Sequence, residues 1–345
     1  MNRIFIHGIG AVSPAGWGAM ALSAALIKTD PLPVQFLTRP GWQKPLAIRN
    51  VPPPPARPAF FAHPRLRRVS DNTLHTVAAA LEALGGDALS IQAGALRLGI
   101  IVCTMAGNVN YSRRFYEEVL REPALASPLL FPETVFNAPA SHLAACLNST
   151  GTSYTLVGDD GVFMQALALA ADWLRENRAD GVLVVGMEEM DWVVTEALRL
   201  FQPQAVHSAG AGAIYLRKEK LPGPGAELAV ITDSFLFTSR QNQVAAARKM
   251  RAQLPAGRPE ELLCLSAQPG SRMATAENTA WSDWPGRTCA PKSVFGEAFT
   301  AAAAWQCVAA CSAMMGGPAS AVNVSVLGAN QQAIGARFLA CGNPV

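Results

Sequence analysis

The stretch GTSYTLVGDDGVFMQALALA, residues 151–170, decides the fold. Residues 153–157 carry β-branched and aromatic side chains, residues 158–161 form a tight glycine-bounded turn, and an apolar, alanine-rich helix is expected over 162–177. A strand running through a short turn into a helix sets one side chain, here Asp160, at the head of that helix.

Outward from this point, strand-like runs at 4–9, 98–103, 181–185, 211–216, 228–232, 262–265 and 321–326 alternate with helical patterns. Ser70 and Asp71 begin a helix that reaches Leu84 and stops at Gly85-Gly86, and another runs over 297–315 and stops at Gly316-Gly317. The alternation implies an α/β protein with its sheets covered on both faces. Pro52 to Pro55 lack backbone donors and have a fixed φ, so residues 51–64 are expected to wrap the surface in extended form. The charged, proline- and glycine-rich stretch 217–226 is the expected join between two halves, 1–216 and 227–345.

With 345 residues, 50% hydrophobic and 15% charged, the chain can bury a large core. A net charge of +3 with scattered aromatics excludes a nucleic-acid-binding surface and leaves an acidic protein partner open. The first residues read as a strand entering a glycine turn, without a secretory leader, so a cytoplasmic location is expected. Residues 298–315 approach membrane-spanning length, but Thr300, Gln306 and Ser312 interrupt them, and a buried core helix is expected with no membrane insertion. The seven cysteines are widely spaced, with no Cys-x-x-Cys and no clustered histidine, and read as buried thiols rather than metal ligands. Neither a metal nor a cofactor is expected.

Several further motifs follow one another along the chain. Arg67-Arg68-Val69-Ser70 opens the helix at 71–84, and Ser127-Pro128-Leu129-Leu130-Phe131-Pro132 leads to Asn137 and His142. Ala179-Asp180-Gly181 leads to Gly186-Met187-Glu188-Glu189, Ser208-Ala209-Gly210-Ala211-Gly212-Ala213 forms a glycine turn, and Lys292-Ser293-Val294-Phe295-Gly296-Glu297 precedes the second long helix. In order and spacing these segments resemble the β-ketoacyl-acyl carrier protein synthases of the thiolase superfamily over almost the whole chain. The resemblance implies a thiolase-like fold whose two related halves stack as five layers, αβαβα.

Under the same resemblance, Asp160 stands where the family keeps its nucleophilic cysteine, and Gln268 and Glu297 stand at its two catalytic histidines. Only Lys292 of the recognisable set is retained. The count agrees: no cysteine lies between Cys146 and Cys264, and no histidine follows His207. The closing loop, residues 323–330, has Ser325 and Leu327 where the family has glycines, so a fixed loop is expected in place of a gate.

Condensation needs a thiolate to accept the acyl group and donors to stabilise the enolate left by malonyl decarboxylation. Carboxylate attack on a thioester would give a mixed anhydride of higher energy, and an ionised Glu297 can accept hydrogen bonds but not donate them. The expectation is therefore a non-catalytic subunit of the chain-length-factor type, as in type II polyketide or aryl polyene systems. It would form a heterodimer with an active ketosynthase, meet its acyl carrier protein, and shape the shared acyl pocket with Leu130, Phe131, Thr134 and Phe136.

Other readings stay open on the residues. Asp160 and Glu297 can each be helix caps, or can converge as an acid/base pair serving an independent acyl-thioester hydratase or hydrolase. Lys292 can pair with either acid. Tyr154, Trp192, Phe131 and Phe136 read as core or dimer contacts. Arg65, Arg67 and Arg68 read either as a solvated basic patch or as a docking site for a carrier protein, which would make the chain a carrier-binding module.

Overall fold

The computed structural model describes residues 3–39, 41, 44–268, 270–328 and 332–342. Its main sheet follows the order Arg287–Cys289, Leu262–Cys264, Ala321–Leu327, Gln332–Cys341, Gly225–Ile231, Phe5–Ser13, Gly210–Arg217, Gly181–Glu188, Leu98–Thr104 and Ser153–Val157. The first strand joins the two portions of the sheet, because Phe5–Ser13 pairs antiparallel with Gly210–Arg217 on one side and with Gly225–Ile231 on the other. Residues 218–224 connect the two strands that flank the first one, and the ends of the stretch 217–226 belong to those strands.

Leu98–Thr104 and Gly181–Glu188 are buried along their whole length and pair in parallel, the pattern of strands covered on both faces. Three apolar clusters cover them and their C-terminal counterparts. The largest holds the helices Asp160–Arg175 and Phe299–Met315, whose side chains Phe163, Leu167, Trp305 and Cys307 meet strand residues of both halves. A second packs Asp71–Leu84 and Ala138–Cys146 on the N-terminal strands, and a third packs Arg240–Ala252 and Arg272–Ala280 on the C-terminal ones. Trp305 ties the central helix to the N-terminal half by donating from Nε1 to the carbonyls of Val12, 3.2 Å, and Ala211, 3.0 Å. Gly8 and Gly10 let Asp71–Leu84 lie directly on the first strand, since a Cβ there would come within 1.9 and 2.0 Å of the Ala83 and Ala79 carbonyl oxygens.

The expected helices at 71–84, 162–177 and 297–315 are found as Asp71–Leu84, Asp160–Arg175 and Phe299–Met315. Ser70 caps the first, accepting from Thr73 N at 3.1 Å. Residues 51–64 are mostly irregular, with a short 3₁₀ turn at Ala59–Ala62. The strand Gln332–Cys341 has no counterpart in the sequence reading. In the closing loop, Gly328 N donates to the Gln332 carbonyl at 2.9 Å, and Ala329 and Asn330 lie outside the described residues. No helix among the described residues is long and apolar enough to cross a membrane.

Candidate functional site: a buried acid, lysine, acid cluster

The strand Ser153–Val157 delivers the chain to the turn at 158–159, and Asp159 caps the following helix by accepting from Gly161 N at 3.0 Å. This corrects the sequence reading of Asp160 as the cap. Asp160 is instead the first helical residue, with only 1% of its surface exposed, and its Oδ2 accepts a hydrogen bond from Lys292 Nζ. Lys292, 3% exposed, also donates to Glu297 Oε2 at 2.8 Å. Glu297, 2% exposed, uses its other oxygen to accept at 2.9 Å from the backbone N of Phe299, the first residue of the second long helix, whose N-cap is Ala298.

The two acids therefore converge on one ammonium. Burial pushes the Asp160 carboxyl up to about 8, with the Lys292 ammonium pulling the other way and Glu297 adding to the rise. Burial also opposes the charge on Lys292, but Asp160 and Glu297 together outweigh it and hold the ammonium above its usual range. A cluster of this kind fixes the starts of two long helices and the short helix Pro291–Phe295 relative to one another. All three side chains are almost wholly withdrawn from solvent.

Gln268 is tied elsewhere, donating from Nε2 to the Gln204 carbonyl at 3.0 Å, and its neighbour Pro269 lies outside the described residues. Two residues that sequence reasoning missed adjoin the cluster. His207 is buried, forms a backbone bridge with Glu297 and shares a 2.8 Å hydrogen bond between Nδ1 and Thr195 Oγ1. Burial lowers its imidazole to about 4, so the ring is neutral. Gln332 reaches over the head of the Asp160–Arg175 helix, donating from Nε2 to Asp159 Oδ1 at 2.8 Å and accepting from Ser234 Oγ at 2.8 Å. Both contacts cross long stretches of chain, and no local pattern announces them. Among the described residues no group of three or more His, Cys, Asp or Glu side chains is placed to hold a metal ion.

A second region contains the predicted pocket and partner residues. Ser153–Val157 is an edge strand, and beside it a groove of about 510 Å³ is lined in part by Asn137, Ser141, Ala144 and Tyr154. Tyr154 is 48% exposed and rests edge-on against Trp173 at 5.0 Å, so it is a surface group rather than core. Phe131 is 56% exposed and leans on Phe115 at 5.6 Å; Leu129, Val135 and Phe136 are exposed with it. Thr134 Oγ1 donates to the Phe131 carbonyl at 2.8 Å, and Leu130 is half-buried. Phe136 covers Gly107, whose φ of 66° and absent Cβ make room, since a Cβ would lie 2.6 Å from the ring. Glu133 is buried and bonds His142 Nε2 at 2.7 Å, which pins this loop to the helix Ala138–Cys146.

Arg65, Arg67 and Arg68 are exposed beside the Asp71–Leu84 helix, and the Arg68 carbonyl accepts from Tyr111 Oη at 2.7 Å. Trp192 lies under the Arg39 guanidinium, 3.7 Å from ring centre to Cζ.

No family profile and no curated protein matches the sequence. Solved structures do match over nearly the whole chain. The AntDE:AntF complex, a type II polyketide synthase acyl-carrier protein with its ketosynthase bound to the hexaketide, aligns with a TM-score of 0.78 at 15% identity, covering 98% of this chain and 99% of that one. The ishigamide ketosynthase/chain length factor aligns at 0.77 and 18%, covering 99% and 100%. A β-ketoacyl synthase from Burkholderia phymatum STM815 aligns at 0.78 and 16%, covering 98% and 99%. The chain has the thiolase-like fold of the ketosynthases and chain length factors.

Proposed function

We propose that this chain is a non-catalytic, ketosynthase-like subunit of the chain-length-factor type. It pairs in the cytoplasm with an active ketosynthase and its acyl carrier protein, in type II polyketide, aryl polyene or fatty-acid-like biosynthesis. The observation that carries the reading is the buried Asp160, Lys292 and Glu297 cluster, which stands where the fold's nucleophile and second histidine are expected. A charge cluster this deep substitutes internal order for chemistry. The partner then supplies the cysteine and both histidines, and this chain supplies a wall.

The exposed edge strand Ser153–Val157 and the apolar side chains of Leu129, Phe131, Val135 and Phe136 support the pairing, because an uncovered edge with adjacent apolar bulk favours association. Leu130, Phe131, Thr134 and Phe136 form the part of that wall that limits the acyl chain. Arg65, Arg67 and Arg68 give a weaker docking patch for the acidic carrier. The halves 1–216 and 227–345 are the two thiolase-like units.

The test is turnover by the chain alone. Purified protein given malonyl-carrier protein should release no carbon dioxide above the uncatalysed rate and form no condensation product. Carbon dioxide release that disappears in Asp160→Ala would restore an enzymatic reading.

A further inference from the structure

Apart from the charge cluster, the molecule holds a second group of reactive side chains that the proposed function does not use. Cys264 ends the strand Leu262–Cys264 and Cys289 ends Arg287–Cys289. The two strands are parallel neighbours with Cys264 in register with Cys289, and Leu265 N donates to the Cys289 carbonyl at 2.8 Å. Paired residues on adjacent parallel strands project to the same face, with backbones about 4.8 Å apart. That spacing lies inside the roughly 4.4–6.8 Å range of Cα separations that a disulfide spans. Cys264 is wholly buried, whereas Cys289 sits on the outermost strand of the sheet and is partly exposed.

We propose that Cys264 and Cys289 form an oxidation site, in which a hydroperoxide such as hydrogen peroxide converts the thiol pair to a disulfide. The Cys289 sulfur attacks the peroxide: an S–O bond forms, the O–O bond breaks, and the departing hydroxide leaves as water with the Cys289 proton. Cys264 then attacks the sulfenic sulfur: the S–S bond forms, the S–O bond breaks, and a second water carries away the Cys264 proton. Two sulfurs are oxidised and one peroxide is reduced. The order follows from access, since Cys289 is partly exposed on the edge strand while Cys264 is wholly buried, and the neighbouring Cys264 thiol holds Cys289 below its usual range while burial opposes this. The new bond would tie together the strand ends that lead to Gln268 and to Lys292, the latter three residues beyond Cys289.

The experiment exposes the folded, reduced protein to limiting hydrogen peroxide, blocks remaining thiols by alkylation, and maps tryptic peptides without reduction. Arg287 and Lys292 flank Cys289, so trypsin releases it on the short peptide 288–292. The expected product is that peptide joined to the one containing Cys264, separated again by dithiothreitol. In Cys264→Ser the reaction should stop at a sulfenic acid on Cys289, trapped by dimedone. The wild-type map decides the matter even if the variant does not fold. Cys289 that remains fully alkylatable after the partly exposed Cys146 has been oxidised overturns the proposal, and so does a bond from Cys289 to Cys307 or Cys311 in place of Cys264.

Discussion

Lys292 is the residue on which the cluster depends, and replacing it with methionine leaves two buried acid groups without their cation. Breaking a buried charge pair by removing one partner costs about 3–5 kcal/mol, so Lys292→Met should lower stability by that order in denaturant titration. A loss below about 1 kcal/mol would mean that the cluster is solvated. The pH dependence follows from the same burial. Asp160 and Glu188 are each raised to about 8, chiefly by desolvation, so the folded protein keeps protons that the unfolded chain has released. Stability from these groups is therefore full at low pH and is lost as pH rises toward 8. His75 and His207, lowered to about 4 by burial, act oppositely but only below the ordinary histidine value of 6.5. Unfolding free energy should thus fall between pH 6.5 and 8.5, and a rise over that interval would contradict the assignment. From the sequence Asp160 could be a helix cap, one of an acid pair or the partner of Lys292, and the structure has it paired with Lys292 while Asp159 caps the helix. Asp159 and Asp160 are equally good caps locally, and only the contact with Lys292, 132 positions away, separates them.

At the scale of elements, the strand Ser153–Val157 and the helix after it were legible because β-branched residues and alanine periodicity agreed with the tertiary outcome. The strand Gln332–Cys341 was not. Its alanines, Gly335 and the charged Arg337 give little β signal, and pairing with Ala321–Leu327 together with the buried Arg337–Glu261 ion pair supplies what propensity does not. The loop at 129–136 was identified by resemblance, yet its side chains differ in kind. Phe136 is seated on Gly107 and Thr134 is bonded to its own loop, which leaves Phe131 as the more exposed of the two pocket aromatics. If Phe131 forms the stop of a neighbour's acyl tunnel, Phe131→Ala in the reconstituted pair should lengthen the carrier-bound products or broaden their distribution while the complex persists. Mass spectrometry of those products reads the result directly. An unchanged distribution in an assembled complex would leave Phe131 as interface filling alone.

For the molecule as a whole, the α/β class followed from alternating elements, and the proposed loss of chemistry rests on substitutions at positions that the shared motif order located. The single sheet path running through Phe5–Ser13 did not follow from either, because register between distant strands is set by packing rather than by local pattern. Pairing with a ketosynthase is what the proposed function requires first. Coexpression with an intact ketosynthase from the same gene neighbourhood, followed by light scattering of the purified material, measures the stoichiometry. The prediction is a stable one-to-one complex, with this chain alone poorly soluble or self-associated through the same edge. A well-behaved monomer that does not bind the ketosynthase at any tested ratio would contradict the central claim.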